Sequence, residues 1–144
     1  MEIEQIEAKK AYLDTNIFIY LFEDHPKYQK QISKLIEHLD SIDCQLITSD
    51  ITLAECLVKP YSDKDTDSVE LYKENLQSSD FLQMISVTRE ILIKASYLRA
   101  SLRNKMPDSI HVATALLEEC DIFIGNDNGI KTPKEIRTIA LSNL

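Results

Sequence analysis

The chain has 144 residues, 16 Lys and Arg against 24 Asp and Glu, a formal charge of −8, three cysteines and only two glycines. A 44% hydrophobic, 28% charged composition is too apolar for disorder, and the length predicts one domain over 1–144 with a substantial core. Gly125 and Gly129 cannot supply the several close backbone approaches of a G-x-G-x-x-G or G-x-x-x-x-G-K phosphate loop, which excludes nucleotide sites of those types.

Residues 1–10 read as a polar N-terminal extension, acidic where a signal peptide would be basic and then apolar. Ala11, Tyr12 and Leu13 predict a buried strand that runs through Asp14 into a buried apolar helix containing Ile17, Phe18, Ile19, Leu21 and Phe22. His25-Pro26 opens an amphipathic helix with Tyr28, Ile32, Leu35, Ile36, Leu39 and Ile42 at spacings of three and four. Gln45 to Thr48 is a second strand, and Ser49 or Asp50 caps a helix from Ile51 to about Val58 that Lys59-Pro60 ends. A polar loop over 61–67, a helix over 69–76 and a third strand over 81–87 follow. From Thr88 a helix runs to about Asn104 with Ile91, Ala95, Leu98 and Leu102 on its inner face, Met106-Pro107 breaks it, and another begins at Pro107 or Asp108 and runs to Glu119. Residues 121–125 form a fourth strand, 126–129 a turn, and 137–141 a short last strand. Strands alternating with helices imply an α/β layered fold around a mainly parallel sheet.

Cys44, Cys56 and Cys120 are odd in number, widely spaced and set among apolar residues, as buried free thiols in a reducing cytosol would be. The longest apolar run is far short of the ~20 residues that span a bilayer, so the expectation is a cytoplasmic chain with no membrane partner. Charge is unevenly distributed. Residues 1–80 hold eight basic against 17 acidic groups, whereas 81–144 hold eight against seven. Between Arg89 and Met106 stand Arg89, Lys94, Arg99, Arg103 and Lys105 against Glu90 alone. Arg99, Arg103 and Lys105, just upstream of Asp108, could grip an RNA backbone, since affinity follows the local field; an ordinary solvated helix face is the other reading.

Four acids stand where core residues belong. Asp14 and Asp127 each follow an apolar strand, at the end where ligands bind in open α/β sheets. Glu55 shares a helical phase with Ile51, Ala54 and Val58, which predicts that it projects from the buried stripe. Asp108 lies in the first turn of a helix with Val112 and Ala115 on its face, although the helix dipole alone would favour an acid there. Buried unpaired carboxylates cost several kcal/mol each, and few cations lie near these motifs to neutralise them. A hard divalent cation would, and all-oxygen ligation suits Mg²⁺ or Mn²⁺, which can activate water and stabilise in-line displacement at phosphorus.

The segments LDTNIFIY around Asp14, TLAECLVKP around Glu55, MPDSIHVATA around Asp108 and FIGNDNG around Asp127 resemble, in order and spacing, the PIN domain, in particular the small VapC-like toxin ribonucleases. The resemblance extends from Ala11 to Leu141. It implies a three-layer α/β/α sandwich, an Mg²⁺- or Mn²⁺-dependent endoribonuclease, and Asp14, Glu55, Asp108 and Asp127 as the catalytic, metal-holding quartet, with Asn16 supporting the site. It further implies homodimers held inactive by a small antitoxin protein. Many members carry Thr or Ser two residues before the last Asp, where this chain has Gly125. A non-catalytic PIN-like module that binds RNA or protein is the alternative.

Other signals carry less. Asp63, Asp65, Asp67 and Glu74 have the acid spacing of a calcium loop, but Ser68 replaces its glycine and Glu70 its apolar residue. His111, one turn after Asp108, reads as a supporting residue, either a proton donor to metal or substrate or a packing histidine. Cys56 has nothing nearby to activate it as a nucleophile. Asn16 stands where haloacid-dehalogenase phosphatases carry a second Asp, and the paired acids of receiver domains are absent.

Overall fold

The computed structural model describes residues 1–126 and 129–144. Five strands, β1 (Lys10–Leu13), β2 (Gln45–Ser49), β3 (Leu82–Ile85), β4 (Ile122–Gly125) and β5 (Arg137–Ala140), form one sheet in the order β3-β2-β1-β4-β5. Every pairing is parallel, with Tyr12 opposite both Ile47 and Phe123 at the centre. Parallel strands need crossovers, which helices α1 (Thr15–Phe22), α2 (Gln29–Ser41), α3 (Asp50–Ser62), α4 (Thr66–Asn75), α5 (Arg89–Leu102) and α6 (Met106–Leu117) supply. The two-residue period of the strands divides the core. Ala11, Leu13, Leu46, Ile122 and Ile124 pack with the buried faces of α1 and α2, whereas Tyr12, Ile47 and Phe123 pack with those of α5 and α6. Both faces of the sheet are therefore covered, giving the expected three-layer α/β/α sandwich, and the strands read as continuous apolar runs for that reason.

Helix boundaries differ from the sequence expectation where side chains intervene locally. α2 begins at Gln29 and not at Pro26, because the His25 ring accepts hydrogen bonds from the backbone N–H of Lys27 and Tyr28 and holds 26–28 as a turn. α3 continues through Pro60 to Ser62; the proline is buried, and backbone bonds from Asp63 to Lys59 and from Asp65 to Pro60 carry the chain past the missing N–H. α5 ends at Leu102, and Arg103 caps it in the left-handed conformation, φ 63°. Ile3 and Ile6, within the polar start, are buried in the α1/α2 core, and His38 on α2 bonds the Ile6 carbonyl at 2.8 Å. Among the described residues no helix is long and apolar enough to cross a membrane.

Candidate active site

The C-terminal ends of β1 and β4, the starts of α1 and α6 and the middle of α3 converge on one acidic site. Asp14 leaves β1 by donating its N–H to the Ile124 carbonyl, 2.9 Å, then serves as N-cap of α1, its Oδ1 accepting from the Thr15 N–H at 2.8 Å. Only 5% of it is exposed. Burial first, then the charges of Asp108 and Glu55, raise its carboxyl pKa above the ordinary value against the opposing pull of His111 and the Thr15 N–H. A carboxylate pushed up first by burial and then by two like charges, with one imidazole opposing them, is one that a bound cation would stabilise.

Glu55 on α3 is half-buried, its side chain 37% exposed. The buried stripe of α3 is Thr52, Cys56 and Pro60, while Ala54 and Val58 face outward, Val58 65% exposed. Glu55 therefore stands at the edge of the stripe, not on it as its phase with Ile51, Ala54 and Val58 suggested; the polar Thr52 and the helical Pro60 disguise the true stripe. Its Oε1 accepts from the Thr15 hydroxyl at 2.8 Å and lies 2.6 Å from His111 Nε2. Burial pushes its carboxyl up, but the His111 hydrogen bond, the electrostatic attraction of that ring and the Thr15 hydroxyl outweigh this and hold it below its usual range. Neighbouring carboxylates with pKa values driven apart are characteristic of worked sites.

Asp108 is half-buried at the third residue of α6, close enough to Asp14 for its charge to be felt there. Asn16 is half-buried in the first turn of α1. The structure thus brings Asp14, Glu55, Asp108 and His111 together, while Asp127 lies outside the described residues. Among the described residues no group of three His, Cys, Asp or Glu side chains stands in metal-binding geometry. The donor set is nevertheless all carboxylate oxygen, the chemistry that Mg²⁺ and Mn²⁺ prefer. Among the described residues, Glu55 Oε2 and Asp14 Oδ2 accept no hydrogen bond.

Gly125 ends β4 directly beside Asp14. A Cβ built there would meet both Asp14 Cβ and Oδ2 at 3.1 Å, so a Thr or Ser at this place would press on the carboxylate, and the glycine gives it room. Behind the acids, His111 is 1% exposed on its side chain, 3.6 Å from Asp14 Oδ1 and 2.6 Å, through Nδ1, from the hydroxyl of the fully buried Tyr12. Tyr12 and Thr15 escaped the sequence reading. A tyrosine at the centre of a buried strand needs a partner for its hydroxyl, and that signal could have found Tyr12. Arg99, Arg103 and Lys105 are exposed at the α5–α6 junction. Arg99 Nη1 donates to the Asn104 carbonyl at 3.0 Å, and Arg99 and Arg103, the latter in the left-handed conformation that ends α5, line one surface cavity with Asn104 and Met106. The three cysteines are buried free thiols; burial pushes Cys44 to about 11 and both Cys56 and Cys120 to about 12, leaving no reactive thiolate.

The chain is similar to known proteins over nearly its whole length. A family model of the PIN domain matches residues 11–135. A toxin-antitoxin complex from Klebsiella pneumoniae contains a chain 25% identical, with 88% of this chain and 94% of that one covered and a TM-score of 0.65. VapBC2 from Rickettsia felis, solved bound to a DNA fragment from its promoter, is 18% identical over 91% of this chain and 98% of that one, TM-score 0.67. VapC20 from Mycobacterium tuberculosis, a Sarcin-Ricin loop cleaving toxin, is 13% identical over 78% and 86%, TM-score 0.63. No curated protein sequence matches the chain. With the family model matched from β1 to the loop before β5, most of the chain, the chain belongs to the PIN domain family.

Proposed function

We infer that the chain is a divalent-metal-dependent endoribonuclease, the toxin of a toxin-antitoxin pair. The observation that carries this reading is the convergence of three acids, with Asp14 buried at the end of β1 and its carboxyl pushed up first by burial and then by the like charges of Asp108 and Glu55. Asp14, Glu55 and Asp108, with Asp127, would hold Mg²⁺ or Mn²⁺. Bound there, the cation would supply Lewis-acid stabilisation of the phosphoryl group and activation of water for in-line attack. The protein's part is to keep Asp14 at the N-cap of α1 and Glu55 against Thr15 and His111, so that little reorganisation accompanies binding. The neighbouring structures include toxin-antitoxin complexes, which supports an antitoxin as partner; a homodimer in the cytoplasm is what the resemblance of the four sequence motifs implies.

Incubating the purified protein with single-stranded RNA and Mn²⁺ tests the reading. Wild type is expected to cut, and Asp108→Asn to lose cleavage while staying folded; equal cutting by the variant would place the activity elsewhere. Loss of all cutting by wild type, with Mn²⁺ leaving its melting temperature unmoved, would instead mark a non-catalytic PIN-like binding module.

Arg99, Arg103 and Lys105 would meet the RNA backbone beside α6. Replacing Arg99 and Arg103 together by Ala is expected to weaken RNA binding most at low salt and to flatten its salt dependence by about one to two phosphate contacts. Binding that keeps the wild-type salt slope would return these residues to a solvated surface.

A further inference from the structure

We propose that Lys131, in the loop before β5, is a fourth contact for the RNA backbone, and that Asn104 is the positioning residue that places it beside Arg99, Arg103 and Lys105. The inference rests on the reading of those three residues as the RNA grip. It starts from burial. Asn104 is 4% exposed at the junction of α5 and α6, although its chain neighbours Arg103 and Lys105 are both exposed. A buried side-chain amide is tolerated when its donor and acceptor are satisfied inside the protein. Here both are spent on one residue: Nδ2 donates to the Lys131 carbonyl at 2.7 Å, and Oδ1 accepts from the Lys131 N–H at 3.0 Å.

This pair of bonds joins segments 27 positions apart and sets the Lys131 backbone one asparagine side chain away from the α5–α6 junction. The Asn104 carbonyl in turn accepts from Arg99 Nη1 at 3.0 Å. One residue thus orients a guanidinium on α5 through its backbone and a lysine in the loop through its side chain. The guanidinium keeps its other N–H groups for a ligand, and Lys131 itself is exposed.

Holding the loop does not by itself call for this clasp. Ile130 and Ile136, 7% and 4% exposed, already anchor it in the core between the sheet and α5/α6, and the Thr132 hydroxyl bonds the Ile136 carbonyl and the Thr138 hydroxyl. What the clasp adds is the position of Lys131. The charge there suits an anion. In a chain of formal charge −8, Arg99, Arg103, Lys105 and Lys131 are gathered by Asn104, and among the described residues no carboxylate forms an ion pair with any of them. Arg99 and Arg103 line a surface cavity with Met106, the first residue of α6, so the cluster borders the helix start that carries Asp108. An RNA strand, with a phosphate at every nucleotide, can meet several of these cations at once. Fixing their spacing before binding lowers the ordering cost of association.

Fluorescence anisotropy of a labelled single-stranded RNA, titrated at several salt concentrations with chelator present, tests the proposal without involving a metal. Lys131→Ala is expected to reduce the steepness of log affinity against log salt by about 0.7, the value of one phosphate contact on a single strand. Lys30→Ala, on α2 across the sheet, is expected to leave it unchanged. In Asn104→Ala, compared at equal folded fraction, the further loss caused by Lys131→Ala should be smaller than in wild type. A purely structural Asn104 would lower the melting temperature yet leave the two losses additive, which would overturn its positioning role. A wild-type salt dependence in Lys131→Ala, or the same reduction in Lys30→Ala, overturns the contact. A wild type that binds no RNA overturns both. If wild type fails to cut RNA while these differences in binding hold, the nuclease reading falls and this one stands.

Discussion

Replacing Asp14 by Asn is expected to make the metal-free protein more stable at neutral pH while removing its response to Mn²⁺ and its activity. Asn caps a helix about as well as Asp, so α1 keeps its N-cap. What disappears is a buried negative charge beside two others. The sign of the effect follows from linkage. The Asp14 carboxyl has a higher pKa folded than unfolded, so the folded state binds the proton more readily. Its cost to stability is absent below the unfolded pKa and complete above the folded one. The Asp14 contribution therefore increasingly favours the folded state as pH falls from neutral through its folded pKa, opposed by the lowered Glu55 pKa, so the stability advantage of Asp14→Asn over metal-free wild type should narrow across that range. In Mn²⁺ a hundredfold above its Kd, wild type gains about 2.7 kcal/mol, roughly 5–10 °C in melting temperature for a chain of this size. Asp14→Asn should show little of this shift. Its cleavage rate should fall by more than the roughly 10–100-fold typical of a residue that only supports a ligand. A variant less stable than wild type at neutral pH, yet still shifted by Mn²⁺, would remove Asp14 from the metal site. Thermal melts across pH, with and without Mn²⁺, read all three effects.

Phe123→Ala is expected to have the largest effect on stability alone. Phe123 is 1% exposed at the centre of β4, pairs with Tyr12 on one side and Thr138 on the other, and stacks on the Tyr12 ring. Truncation leaves a cavity between the sheet and the α5/α6 layer and costs about 3–5 kcal/mol, lowering the melting temperature on the order of 10 °C. Because Tyr12 then loses its backing, the Tyr12–His111 contact should loosen as well. The contrast is Ile93, 62% exposed on α5, where Ser should change stability by no more than about 0.5 kcal/mol. Chemical denaturation of both variants checks the pair; comparable losses would mean that the core is not divided by the sheet as described.

Much of this was legible in the sequence because the strands are short, apolar and bounded by polar breaks. β1, β2 and β4 announce themselves as buried parallel strands, and alternation with helices gives the layers. Asp14 was readable for the same reason, as a charge placed at the end of an apolar strand. Glu55 was found by the wrong argument. Its helix buries Thr52, Cys56 and Pro60, a stripe that polar Thr and helix-breaking Pro conceal, and only the packing of α3 shows that Glu55 borders it. The boundaries of α2 and α3 depend on the His25 side chain and on backbone bonds past Pro60, neither of which periodicity encodes. The contacts of Tyr12, Thr15, Glu55 and His111 join β1, α1, α3 and α6, separated by up to 99 positions, and no local pattern predicts such an encounter.

The most direct test is the rate of single-stranded RNA cleavage as a function of Mn²⁺ concentration, in wild type and in Asp14→Asn at equal folded fraction. The expected result is a rate that rises with Mn²⁺ and saturates in wild type, is abolished by chelation, and stays near background in the variant at every concentration. Cleavage by wild type that persists after chelation, or the same Mn²⁺ dependence in both proteins, would contradict a metal-dependent nuclease site built on Asp14.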